Sequence, residues 1–176
     1  MSIELLGILL LLFYLRYHCP LIITYKLTHP DARKPDRAYH RAACFDVYAV
    51  EEVFIKSGEW REVEIGASFA SWPHFYIPWF NITCTPLGNV AMRIHTRSGL
   101  ALKKGLRAHL GVIDNDYRKP LTVLLFNSNY PFPVHIHKGD KVAQVEFYRV
   151  PSVWMVGVKK LSKSLRGEQG FGSTGQ

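Results

Sequence analysis

The chain is written largely in short stretches of period two. Val53 and Ile55 alternate with Glu52 and Lys56, and Val63 and Ile65 with Glu62 and Glu64. Ser57-Gly58 lies between the two stretches, so the pattern predicts a hairpin. Val90, Met92 and Ile94 alternate with Ala91, Arg93 and His95. Leu121 to Phe126 is a continuous apolar run with β-branched residues near its start, which predicts a buried strand. Val134 and Ile136 alternate with His135 and His137. After a turn at Lys138-Gly139-Asp140, Ala143, Val145 and Phe147 alternate with Gln144, Glu146 and Tyr148. The polar, proline-containing stretch from Pro30 to Arg41 reads as loop. One short helix is predicted, from Ser98 to about Lys104. Many short strands at regular spacing predict an all-β jelly-roll sandwich or barrel.

The two ends differ from this body. Leu5 to Leu15 is nearly all apolar, but a membrane span needs about 20 such residues. Glu4 and the lack of Lys or Arg before the run argue against a secretory signal. Three readings stand: a helix docked on the domain or a partner, a weak membrane contact through residues 3–15, or an extension upstream of the true start. Residues 1–19 are therefore read as an extension, 20–165 as the folded domain and 166–176 as a tail. The tail, RGEQGFGSTGQ, buries little and its glycines leave it free to order on a ligand.

At 176 residues, 48% hydrophobic and 20% charged, the chain has enough apolar material for one core. Its net charge of +8 draws anions. The basic residues are scattered and form no stripe, so nucleic acid is not an expected partner. Cys19, Cys44 and Cys84 are odd in number and lack metal-ligand spacing. They point to an intracellular, reducing setting, cytoplasm or nucleus. The sequon Asn81-Ile82-Thr83 would count only in a secreted chain.

Five segments carry candidate chemistry. Thr96-Arg97-Ser98-Gly99-Leu100 leads into the helix, with Ser98 as its expected N-cap and Arg97 adding charge for an anion. In Gly111–Arg118, Asp114 follows a strand-like pair and suits a general base, although a plain acidic turn would read the same. In Gly139–Gln144, Gln144 lies on the face opposite Ala143 and Val145, toward a ligand or toward solvent. Asp46 stands inside the apolar strand Ala43–Tyr48 and needs a partner. In the tail, Arg166 can fork onto a phosphate, the backbone near Gly172 can cup anionic oxygens, and Phe171 can lie on a base. Ser173 and Thr174 add hydroxyl donors. His135-x-His137 could suggest a metal pair, but an exposed alternating strand explains it more simply.

In order, Ala42–Ala49, Thr96–Ala101, Gly111–Arg118, Gly139–Gln144 and Arg166–Gly175 resemble the five motifs of the trimeric dUTP pyrophosphatase (dUTPase) family. The resemblance covers roughly residues 22–176. It implies a distorted jelly-roll β barrel, a homotrimer with sites between subunits, and hydrolysis of dUTP to dUMP and pyrophosphate. It also implies roles. Asp114 would activate the water. Tyr117 would pack on the deoxyribose, and the backbone at Leu110 and Gly111 would read the uracil edge. Arg97, Ser98 and Gln144 would hold phosphates, with Gly99 beside them. Arg166, Ser173 and Thr174 would clamp the γ-phosphate end, Gly172 would belong to the same grip, and Phe171 would stack on uracil. Asp46 would support the metal-triphosphate region. Mg2+ would sit on phosphate oxygens and water, with no direct protein ligand.

Some positions depart from the family pattern: Cys44 and Lys119 where glycine is usual, Gln169 at a frequent glycine, and Thr96 at a common proline. Trp72–Leu87 is longer and more aromatic than the family norm, which suggests a contact surface. Two alternatives remain: a catalytically weak interaction module on the same fold, and a dCTP deaminase. Retention of Asp114, Tyr117 and the tail favours the hydrolase over both.

Overall fold

The structure is a computed structural model. It describes residues 4–7, 10, 21–72, 75–77, 82–84, 89–165 and 167, with the backbone alone at 72, 75–77 and 82–84. The strands are β1 (Ile22–Leu27), β2 (Phe45–Tyr48), β3 (Val53–Ile55), β4 (Trp60–Glu64), β5 (Ala67–Trp72), β6 (Phe75–Ile77) and β7 (Ile82–Cys84). They continue as β8 (Asn89–His95), β9 (Leu106–Ala108), β10 (Val112–Ile113), β11 (Thr122–Asn127), β12 (Val134–Ile136) and β13 (Lys141–Val150). Helix α1 (Ser98–Lys104) links β8 to β9. Residues 4–7 and 10 are also helical, so α1 is not the lone helical segment expected. Among the described residues, no helix is long and apolar enough to cross a membrane.

The strands form an all-β body of small antiparallel sheets. The largest has the order β10-β8-β13-β2; a second runs β4-β11-β9; and β1-β5, β12-β3 and β6-β7 are pairs. The sheets enclose one core, in which Val47, Ile55, Val63, Ile65, Leu106, Leu121, Val123, Leu125, Ile136, Val142 and Val145 are almost fully buried. These are the apolar members of the alternating stretches. Val123 and Leu125 sit in phase with Asn127, which is fully buried. Its amide donates to the carbonyls of Ile55 and Phe132, each at 3.0 Å, and its Oδ1 accepts the Asn129 N–H. That one side chain supplies partners for three backbone groups that burial would otherwise strand.

Two expectations change here. The stretches either side of Ser57-Gly58 do turn back, but they do not pair as a hairpin. Instead β3 pairs with β12 and β4 with β11. Leu121–Phe126 is not buried on both faces: along β11 burial alternates, and Thr122, Leu124 and Phe126 are half-exposed. The Trp60 ring leans on Phe126 at 4.9 Å between centroids and covers part of that outer face.

Helix α1 stops at Gly105, which adopts the left-handed region (φ 63°) and returns its N–H to Ala101 O. Beyond β13, residues 151–165 have neither strand nor helix. Their apolar side chains are open, with Trp154 91% and Met155 95% exposed.

Candidate functional site

Asp46 is the hub of the first cluster. It lies on β2 between half-buried Phe45 and fully buried Val47, and the loop before it closes over the strand edge: Asp46 N–H donates to Asp36 O at 2.7 Å. Its carboxylate is 8% exposed and receives two cations. Arg97 Nε donates to Oδ1 at 2.9 Å and Lys141 Nζ to Oδ2 at 2.7 Å. An Arg97 Nη1 also donates to Lys141 O at 3.3 Å. The partner that a buried Asp46 requires is thus a pair of cations, one from each of two other motifs. The hydrogen bond to Asp46, more than its charge, holds the Lys141 ammonium above the ordinary lysine range against the opposing effect of burial. A second carboxylate, Asp36, accepts from the Tyr48 hydroxyl and also acts on Lys141, so two cations and two anions share this cluster.

Gln144 stands beside this hub. On β13 it faces Asp46 across one ladder and His95 across the other. It is half-buried between buried Ala143 and Val145, and its amide donates to Thr96 O at 3.4 Å. The hydroxyl of Thr96 accepts the Ala108 N–H at 2.9 Å and donates to Ala108 O at 3.2 Å. This fastens the residue before Arg97 to the end of β9. His95 Nε2 lies 3.0 Å from Glu146 Oε2 on the neighbouring strand.

Ser98 does not cap the helix. The N-cap is Arg97, in extended conformation (φ −79°, ψ 127°), with no side-chain cap bond, and Ser98 is the first helical residue. The Arg97 side chain is drawn to Asp46, and Leu100 and Ala101 N–H both donate to Arg97 O at 3.0 Å. Ser98 and Gly99 are exposed at the helix start.

The second cluster is the turn after β10. β10 pairs with β8, Val112 opposite Arg93 and Ile113 opposite Met92, and Gly111 O accepts the Ile94 N–H at 3.0 Å. Asp114, exposed, is the next residue. Tyr117 N–H closes the turn onto Asp114 O at 3.2 Å, and Arg118 donates to the carbonyls of Asn115 and Tyr117. Leu110 and Tyr117 are 69% and 39% exposed. An open groove of about 560 Å³ runs along Val112, Asp114, Asp116, Tyr117 and Arg118.

One chain therefore joins Asp46, Arg97 and Gln144, and separately Leu110, Gly111, Asp114 and Tyr117, but not the two sets to each other. Because β10 runs antiparallel to β8, with Ile113 opposite Met92, Asp114 comes level with Ala91 and moves away from Arg97, which lies six residues further along the chain from Ala91. At ~3.3 Å per residue, roughly 20 Å of extended chain separates the two ends. Arg166, Phe171, Gly172, Ser173 and Thr174 lie outside the described residues, as does Gln169; of Trp72–Leu87 only short backbone stretches are described. His135 and His137 are exposed, as the alternation predicts, and face Glu52 and Asp140 respectively.

Sequence reasoning passed over Ser71. It is 7% exposed on β5, and its Oγ donates to Asn115 Oδ1 at 2.7 Å. The available signal was its phase: Ala67, Phe69 and Ser71 share one face, and a polar residue in an inward phase needs a partner.

A dUTPase family model matches residues 31–175. The chain belongs to the dUTPase family. A deoxyuridine 5'-triphosphate nucleotidohydrolase of Yarrowia lipolytica is 42% identical over 148 residues, 82% of this chain and 83% of the relative. One from Saccharomyces cerevisiae is 35% identical over 156 residues, 88% of this chain and 95% of that one. Among solved structures, a dUTPase of Staphylococcus bacteriophage 80alpha with dUpNHpp overlays with a TM-score of 0.73 at 22% identity, covering 88% of this chain and 99% of that one. A variant dUTPase from phage phi11 of S. aureus, described with a structural Mg(II) ion, gives 0.67 at 18% identity, covering 81% and 99%. These overlays establish the dUTPase jelly-roll as the fold of this chain. The span of the family match takes in all five motifs nearly to the end of the tail.

Proposed function

We propose that this chain hydrolyses dUTP to dUMP and pyrophosphate, which keeps uracil out of DNA and supplies dUMP for dTMP synthesis. The observation that carries the reading is the family match over residues 31–175 together with the convergence of three motifs on the Asp46 carboxylate.

The nucleotide enters as its magnesium complex. Both Asp46 oxygens already accept from cations. The metal then travels on the triphosphate as part of the substrate, in keeping with its preference for phosphate and water oxygens. Arg97, Ser98 and Gln144 line the triphosphate path, where the Arg97 guanidinium offsets the charge that grows on the leaving pyrophosphate. Asp46 holds Arg97 and Lys141 in place.

Asp114 takes a proton from a water whose oxygen attacks the α-phosphorus; the α–β bridging P–O bond breaks and pyrophosphate leaves with its electron pair. Tyr117 packs on the deoxyribose, and the backbone at Leu110–Gly111 pairs with the uracil edge. The tail, with Arg166, Phe171, Gly172, Ser173 and Thr174, closes over the bound nucleotide and keeps bulk water out.

The distance between Asp114 and Arg97 within one chain supports a homotrimer. A closed three-fold ring brings Asp114 of one protomer to Arg97 of the next, and a third protomer lends its tail.

Pyrophosphate release from dUTP with magnesium tests the reading, with dCTP, dTTP and UTP as competitors. Release with dUTP, lost in Asp114→Asn and in a chain truncated before Arg166, is the expected result. A folded trimer that releases nothing sinks it and leaves the interaction module; ammonia release from dCTP would replace it with the deaminase.

A further inference from the structure

Among the described residues, the loop that carries Asp114 has few hydrogen-bonded ties to the body of the protein. From Asp114 to Lys119 every side chain is exposed except that of Asn115, which is half-buried. Most of the hydrogen bonds in this turn are internal: Tyr117 N–H to Asp114 O, Arg118 to the carbonyls of Asn115 and Tyr117, and Tyr117 Oη to Pro120 O at 3.4 Å. Such bonds fix the shape of a turn, but they do not fix where the turn points. Asn115 does that. Its Oδ1 accepts from Ser71 Oγ at 2.7 Å, across 44 residues of sequence.

Ser71 is a firm anchor. It is 7% exposed, and its backbone is locked in the β1–β5 ladder opposite Ile23. A small, half-open pocket of about 20 Å³ beside this bond is lined by residues that include Phe69, Ser71, Met92, Ile113, Asp114 and Asn115.

We infer that Ser71 is a positioning residue for the reaction: through Asn115 it sets the distance and angle at which the Asp114 carboxylate meets the attacking water. The inference rests on the proposed reading of Asp114 as the base. A base displaced by about 1 Å costs on the order of 10- to 100-fold in rate. Binding is spared, because the uracil edge, the sugar and the phosphates are held by other groups.

The test is a double-mutant cycle on the full-length chain with dUTP and magnesium. Ser71→Ala and Asn115→Ala are each expected to lower kcat by about 10- to 100-fold while KM stays within about twofold. The double variant should be no slower than the worse single, because both remove the same bond. Asn115 lies on the surface loop, so its variant folds even if the β5 change proves disruptive. Ser71→Thr, which keeps the hydroxyl, should recover most of kcat. Unchanged kcat in a folded Ser71→Ala protein overturns the inference, and so do independent, multiplying losses or a loss confined to KM. Those outcomes leave dUTP hydrolysis intact, whereas a wild type that does not turn over removes the base and with it any role for Ser71.

Discussion

Arg97 Nε and Asp46 Oδ1 meet at 2.9 Å across 51 residues, and Lys141 holds the other carboxylate oxygen. The arrangement is asymmetric, with one nearly buried anion and two cations that keep partial access to water: Arg97 is 29% and Lys141 36% exposed. Removing the anion leaves two like charges side by side. Asp46→Ala should destabilise the fold by about 1–3 kcal/mol, less than the ~3–5 kcal/mol seen when one partner of a fully buried pair is lost, since water still reaches the cations. Urea unfolding measures this. The freed Arg97 should also raise KM for dUTP more than it changes kcat, and a KM that does not move would detach Arg97 from the triphosphate.

Thr96 offers a cleaner substitution. Its hydroxyl both accepts from and donates to the backbone of Ala108, a residue 6% exposed. Thr96→Val preserves shape and β-branching but strands a buried N–H and C=O. The expected loss is about 1–3 kcal/mol by thermal unfolding. Equal stability would mean that the backbone of Ala108 finds other partners.

Much of this fold was legible because alternation is a local property. Residues 90–95, 134–136 and 143–147 are strands as their pattern requires, and the helix spans the residues predicted. What alternation does not carry is the choice of partner. The stretches at Val53–Ile55 and Trp60–Glu64 looked like one hairpin, yet each finds its ladder 58 to 83 residues away. Local pattern was equally blind to Trp60 covering Phe126, which made a half-exposed strand look wholly buried. At the site, the need for a partner at Asp46 could be read from one apolar strand, whereas Arg97 and Lys141 as that partner could not. The same competition explains Ser98. A serine before a helix is a good cap by propensity, but the pull of Asp46 on Arg97 fixes the chain one residue earlier.

Lys141 gives a pH-dependent expectation. Its hydrogen bond to Asp46 raises its pKa above the ordinary 10.5 in the folded chain. A group whose folded pKa is raised contributes stability that is fully present below the unfolded value and disappears as pH climbs through the folded one. The stability difference between wild type and Lys141→Met should therefore be flat up to about pH 10, then shrink above it. A difference that instead shrinks as pH falls from 8 to about 6 would assign the stabilisation to another group.

Gly66 is the turn residue most closely enclosed. It has φ +65°, and a Cβ there would lie 2.8 Å from both His29 Cβ and Val50 Cγ1 and 2.9 Å from Ala32 Cβ. Two costs add for Gly66→Ala: the left-handed backbone, disfavoured for any residue with a Cβ, and overpacking against two separate segments. The sum is about 2–4 kcal/mol, read as a lowered urea midpoint with the slope unchanged. At Gly58, also at positive φ but with nothing within 4 Å, only the backbone cost applies, so Gly58→Ala should be clearly milder. Equal losses at the two positions would show that crowding around Gly66 relaxes freely.

Cys44 stands where the family usually has glycine, two residues before Asp46, and it is a half-buried free thiol. Burial raises its pKa above the ordinary 9.0, and the negative charges of Glu146 and Asp46 push the same way, with Arg37 opposing. The thiolate is the reactive form, so Cys44 should react more slowly than a free cysteine peptide with alkylating reagents at neutral pH. Peptide-resolved mass spectrometry after timed iodoacetamide treatment isolates it from Cys19 and Cys84. Unfolding the chain in urea should restore the ordinary rate. In Glu146→Gln the folded rate should rise modestly, because one of the two repelling charges is gone while burial remains. If Cys44 in the native protein reacts as fast as the unfolded chain, the thiol is neither shielded nor surrounded by negative charge, and the packing of Ala43–Tyr48 against β13 must be looser than the ladder between them implies.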